Sequence, residues 1–140
     1  MQKGMKAIIA LWGPKNYGKT STIIETFNLL SPANPKPLGV DFCDVIDTKL
    51  GKIGFSSYGD PEATDRKTNI QNLINKDCSI ILTACRTKGD TVHDLENFAP
   101  EYGYELIWIS PAQSITVSTD LLNKSTASMV VELIKKLIVA

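Results

Sequence analysis

The sequence predicts an α/β protein: a three-layer α/β/α sandwich around a sheet of about five strands, mostly parallel, with one antiparallel hairpin. Three observations predict it. Apolar runs without polar alternation, the first at residues 7–12, mark strands buried on both faces. Segments with apolar residues at helical spacing alternate with these runs, which is the order of an α/β chain. A length of 140 residues is enough for one full core, so a single domain over 1–140 is expected.

Ala7-Ile8-Ile9-Ala10-Leu11-Trp12 reads as the central strand. The segment after it carries Ile23, Ile24, Phe27 and Leu30 at helical spacing, and Pro32, Pro35 and Pro37 forbid its continuation. Residues 40–47 and 52–57 flank Thr48-Lys49-Leu50-Gly51, a turn of the length that closes an antiparallel hairpin. Ile70, Leu73 and Ile74 mark a second helix, and residues 79–85 form another strand of the buried type. A third helix over 91–99 places Val92, Leu95 and Phe98 on one side, and residues 105–110 form the fifth strand, closed by Pro111. From Thr119 onward the chain is helical. Leu122, Met129, Val130, Leu133, Ile134, Leu137 and Ile138 lie on a wide stripe expected to face the core. There are no internal repeats and no linker.

Composition narrows the function. With 15 basic and 15 acidic side chains the net charge is zero, which argues against a surface built to neutralise a nucleic-acid backbone. Cys43, Cys78 and Cys85 are odd in number and not in CxxC spacing, so a reducing, cytoplasmic setting is expected. His93 is the lone histidine, which removes support for zinc sets and Ser-His triads and leaves it as a helix-surface residue. The apolar run after Lys3 and Lys6 is too short for a signal peptide and meets no cleavage site. No segment approaches the length of a membrane span, so a soluble protein is expected.

Gly13-Pro14-Lys15-Asn16-Tyr17-Gly18-Lys19-Thr20 matches G-x-x-x-x-G-K-[ST] at every fixed position, between a buried strand and an amphipathic helix. That context is what the chemistry needs. Gly13 and Gly18 allow successive N–H groups to converge on an anion, and the helix that follows adds its positive dipole end. Lys19 supplies a point charge for the β- and γ-phosphates, and Thr20 offers a hydroxyl to Mg²⁺. The expected nucleotide-binding set is Gly13, Pro14, Lys15, Asn16, Tyr17, Gly18, Lys19, Thr20 and Ser21.

On these residues the chain resembles the P-loop NTPases, a likeness that covers nearly all of the predicted elements. In its brevity it is similar to small bacterial ATP-binding P-loop proteins. The resemblance implies a Mg²⁺-holding carboxylate at the end of a strand beside the first. Asp60, just past the third strand in Ile53-Gly54-Phe55-Ser56-Ser57-Tyr58-Gly59-Asp60, is the expected one, with Asp41 and Asp44 as competitors on the second strand. The D-x-x-G motif of small GTPases is replaced here by Ser56-Ser57-Tyr58-Gly59. Arg86, directly after the fourth strand with Lys88 nearby, is expected to stabilise charge on a transferring phosphoryl group.

Thr87-Lys88-Gly89-Asp90 approximates the guanine-reading N-K-x-D but follows the fourth strand rather than the fifth, so ATP is expected over GTP. Ser110-Pro111-Ala112-Gln113 is the natural base-contacting loop. Arg66 and Lys67 occupy the region that moves with the γ-phosphate in switch proteins. Three readings follow: a Mg²⁺-dependent ATPase or small phosphotransferase using Lys19, Thr20, Asp60 and Arg86; a GTP-regulated switch; and a non-catalytic nucleotide-binding partner of another protein or of a second copy.

Overall fold

The structure, a computed structural model, describes residues 5–13, 18–58, 64–85 and 90–139, with 64–68 and 90–91 described by their backbone alone. Nine elements follow in order: β1 (Ala7–Trp12), α1 (Lys19–Leu30), β2 (Cys43–Thr48), β3 (Gly51–Ser56), α2 (Thr64–Asn75), β4 (Ile80–Cys85), α3 (Asp90–Glu101), β5 (Glu105–Ile109) and α4 (Thr119–Val139). The strands make one five-stranded sheet in the order β2-β3-β4-β1-β5. β1 runs parallel to β4 and to β5, β3 runs parallel to β4, and only β2 is antiparallel, paired with β3. This is the α/β sandwich with one hairpin that the patterning predicts.

Strand order follows from how much apolar surface each strand must hide. β4 is buried at all six positions and β1 at five of six, so these two pair at the centre. β2 and β5 leave polar residues half-buried or exposed and take the edges. One expectation is corrected here: the strand carrying the Ile53 to Ser56 run does not lie beside β1, because β4 lies between them. Sequence order hid this, since β4 comes later in the chain but is more apolar than β3, which carries Gly51, Lys52 and Gly54.

Two cores form, one on each face. On the first, Ile9 and Leu11 of β1, Phe55 of β3 and Leu82 of β4 meet Ile23 and Phe27 of α1 and Val130, Ile134 and Ile138 of α4. Phe27 stands edge-on to both Phe42 and Phe55, with ring centroids 5.2 and 5.0 Å away. On the second face, Ile8, Ala10, Ile81 and Cys85 meet Ile70 and Leu73 of α2 and Leu95 and Ala99 of α3. Gly54 permits the close approach of α2, because a Cβ there would lie 2.9 Å from a Leu73 methyl. Met129 departs from the expected core-facing stripe of α4: it is exposed, and the buried positions are taken by Ala127, Val130, Val131, Ile134 and Ile138. Trp12, read as the last residue of a fully buried strand, is also exposed in part. His93 lies on the exposed surface of α3, as expected.

Burial has a pH consequence at the base of the sheet. Tyr104 donates its hydroxyl hydrogen to the Cys78 carbonyl, and both residues are buried. Burial pushes the Cys78 thiol up to about 11 and the Tyr104 phenol up to about 12. Both are acids that the fold keeps neutral, so their stabilisation is full below their ordinary values and is lost as pH rises through the folded ones. Unfolding free energy should therefore fall between about pH 9 and pH 12. Urea titrations across that window should show a shallower fall for Tyr104→Phe, and equal slopes would refute the assignment.

Among the described residues no helix is long and apolar enough to cross a membrane.

Candidate functional site

The carboxyl ends of the parallel strands β1, β3 and β4 lie on one edge of the sheet, so Gly13, Ser57 and Cys85 share that edge. Helix α1 rises from the same edge. Its first position outside the helix, Gly18, has the left-handed conformation, φ 73°, and makes no side-chain cap. No acidic residue lies in the first turn. The positive end of α1 is thus left without a neutralising group of its own helix, the condition under which helix N-termini attract anions.

Lys19 is 8% exposed, and its ammonium turns back toward the ends of β1 and β4. It donates to the carbonyl oxygen of Gly13 and, at 3.1 Å, to that of Cys85. The Gly13 N–H also donates to the Cys85 carbonyl at 3.2 Å. A compact positive charge is therefore held where the ends of β1 and β4 meet the start of α1.

Gly18 has a second constraint that the motif does not announce. A Cβ at this position would come within 2.4 Å of Asn123 Oδ1 on α4. Asn123 is buried and its Oδ1 has no hydrogen-bond partner. An unpaired buried amide oxygen is costly and so marks a place where a polar group is expected to come. Gly18→Ala should destabilise the fold by about 1–3 kcal/mol, from the left-handed backbone and the clash together. Urea denaturation in an Asn123→Ala background should recover the clash part only; an unchanged cost there would show that backbone strain is the whole effect.

Thr20 and Asp41 come together on the outer side of the same edge. The Thr20 hydroxyl lies 3.4 Å from Asp41 Oδ1, and the Ser57 hydroxyl donates to the same oxygen at 2.8 Å. Ser57 also accepts from the Phe42 N–H at 2.8 Å, while its own N–H donates to the Phe42 carbonyl at 3.0 Å. Asp41 precedes β2 rather than lying on it. It reaches the edge that carries Gly13 and Ser57 because β2 is antiparallel to β3, which places the start of β2 beside the end of β3.

The proline-rich stretch between α1 and β2 is pinned so that this happens. Asn28 donates to the Lys36 carbonyl at 3.1 Å and accepts from the Lys36 N–H at 2.6 Å. The Lys36 ammonium sits over the Phe27 and Phe42 rings and pairs with Asp44 at 2.7 Å. Burial pushes the Asp44 carboxyl up, but the Lys36 ammonium and the Val45 N–H more than reverse it and hold it below the usual carboxylate range. Asp44 is thereby engaged in holding the hairpin, whereas Asp41 faces Thr20.

Of the expected site residues, Gly13, Gly18, Lys19, Thr20 and Ser21 are described, and the first four build this edge; Ser21 is half-buried on α1. Pro14, Lys15, Asn16, Tyr17, Asp60, Arg86 and Lys88 lie outside the described residues, as do the side chains of Arg66 and Lys67 in the first turns of α2. Two participants escaped sequence reasoning. Asn123 carried a signal, being a polar residue at a core-facing position of α4; Ser57 carried none. Ser56 and Thr83, paired in register on β3 and β4, are fully buried with unpartnered hydroxyls. They face the α2 side, away from Ser57.

The oxygen donors of Thr20, Asp41 and Ser57 are hard ligands of the kind Mg²⁺ accepts, together with its own waters. No cluster of three or more His, Cys, Asp or Glu side chains suited to a metal exists among the described residues. Comparison with protein-family models finds no match, and no curated protein matches the chain.

Proposed function

We propose that this protein binds a nucleoside triphosphate with Mg²⁺, ATP in preference to GTP, as a P-loop protein, and that it hydrolyses the nucleotide or transfers its terminal phosphoryl group. One observation carries the reading: the G-x-x-x-x-G-K-T segment begins at the end of a central parallel strand and ends in a helix whose first turn holds Lys19 and Thr20. Backbone N–H groups at the start of α1 would face the phosphates, and Lys19 would exchange its carbonyl partners for phosphate oxygens. Thr20 and Asp41 would hold Mg²⁺, which when bound neutralises charge on the β- and γ-phosphates. Ser57, by donating to Asp41, keeps that carboxylate turned toward Thr20. Asp60 and Arg86 remain proposed as a further metal carboxylate and as the charge-stabilising arginine.

A thermal-shift panel of ATP, GTP, both diphosphates and Mg²⁺ tests the reading, because a ligand that binds only the native state raises its apparent stability. ATP with Mg²⁺ should raise the unfolding midpoint most, and phosphate release over the same preparation reports turnover. A panel in which no nucleotide moves the midpoint would overturn the proposal.

A further inference from the structure

The chain has two tryptophans, and both lie in one place. Trp12 ends β1 and Trp108 lies on the neighbouring β5, where Ala10 is its register partner. Residues of equal parity share a sheet face, so both indoles stand on the face covered by α3, two residues apart along the strands. They are not stacked on one another. Trp12 is 38% exposed and Trp108 36%, so each indole keeps a part open to ligand.

Both tryptophans line a cavity of about 380 Å³ whose other described lining residues are Val92 and Glu96. Val92 and Glu96 are one helical turn apart on α3, so a methyl-bearing wall and a carboxylate face the indoles from the same side. Leu95 and Ala99, on the adjoining stripe of the helix, are used up in the core. The carboxylate is half-exposed, with the His93 imidazole 3.8 Å from one of its oxygens.

A carboxylate beside two half-open indole faces is a poor place for a neutral apolar ligand and a good one for a cation. The π faces of tryptophan carry the strongest negative quadrupole among side chains, and alkylated ammonium groups combine a spread positive charge with methyl surface that wants burial. A cavity of this size takes such a head group with room for a substituent. We infer that the Trp12–Trp108 cavity is a binding site for a small organic cation, an alkylated ammonium head group held by the two indoles and the Glu96 carboxylate. Trp12 directly precedes Gly13, but the described lining shares no side chain with the proposed phosphate site, and the inference stands independently of that reading.

Because the protein has no other tryptophan, its indole fluorescence reports this site alone. The full chain is titrated at pH 8 with choline, with its neutral isostere 3,3-dimethylbutan-1-ol, and with adenosine. Choline should change the emission saturably, and the neutral isostere should bind at least about fivefold more weakly. Glu96→Gln, on the exposed side of α3, should weaken choline about two- to fivefold without moving the unfolding midpoint. Trp108→Leu should weaken it about tenfold, read from Trp12. Equal binding of choline and its isostere would overturn the inference in favour of a plain apolar patch. Adenosine binding without choline binding would overturn it in favour of a base-stacking shelf, and no saturable change with any of the three would overturn it outright. A thermal shift by ATP with Mg²⁺ does not bear on any of these outcomes.

Discussion

Lys19→Ala is expected to weaken binding of the Mg²⁺-nucleotide about 10- to 100-fold, the equivalent of the roughly 1.5–3 kcal/mol that a hydrogen bond to a charged group contributes. The size of the effect follows from where the ammonium is held. Lys19 is almost fully buried and bonded to the Gly13 and Cys85 carbonyls, so the positive charge is already desolvated and aimed between the ends of β1 and β4. Its loss cannot be made good by a mobile surface lysine. Lys19→Arg keeps the charge but brings a longer, planar fork in place of a point donor, and should restore little of the binding. Isothermal titration below the unfolding midpoint of each variant separates binding from stability. Unchanged nucleotide affinity in Lys19→Ala would remove the phosphate-site assignment.

Asp41→Asn should lower the Mg²⁺ affinity of the nucleotide-loaded protein about 10- to 100-fold while leaving the fold intact. Asparagine can still accept from Ser57, so the change isolates the charge from the hydrogen bonding. Asp44→Asn serves as the contrast. It breaks an ion pair with Lys36 that holds the hairpin, and should cost at most about 1 kcal/mol of stability with no change in Mg²⁺ dependence. Asp60→Asn completes the comparison. Mg²⁺ titrations monitored by the thermal shift with ATP would reassign the metal carboxylate if Asp60→Asn, and not Asp41→Asn, lost the Mg²⁺ effect.

The preference among these carboxylates shows where one-dimensional reasoning stops. Asp60 stands just beyond the third strand and so is expected at the carboxyl edge from sequence order alone. Asp41 precedes a strand, a position that in a parallel sheet would put it at the opposite edge. It arrives at the same edge as Gly13 because β2 is antiparallel to β3, and because Asn28 and the Phe27 and Phe42 rings hold Lys36 in the intervening segment. Antiparallel pairing was legible from the turn at Thr48 to Gly51; its consequence for Asp41 required knowing which strand β2 lies against.

Other features were legible to different depths. The strands and helices were readable because apolar periodicity is a local property, and the observed elements match it closely. Gly13, Gly18, Lys19 and Thr20 lie at the end of β1 and the start of α1, as their spacing in the chain suggests, because they are close together in the sequence. Asn123 stands out in the sequence as a polar residue on the core-facing side of α4, but its closeness to Gly18 was not legible, since it joins residues more than a hundred positions apart through the packing of α4 on α1. The tryptophan cavity was hidden for the same reason. Trp12 looked like the end of a buried run, and only the placement of β5 beside β1 and the limited cover of α3 leave its ring open.

By itself, then, the sequence determined the fold class, the number and kind of elements and the position of the G-x-x-x-x-G-K-T segment, because each depends on residues close together in the chain. The tertiary structure alone decided that β4 separates β1 from β3, that Asp41 rather than Asp44 faces Thr20, that Asn123 closes over Gly18, and that the two tryptophans share a cavity with Glu96. These depend on which apolar surfaces compete best for the centre of the sheet, a comparison made among all the elements at once and written in no single segment.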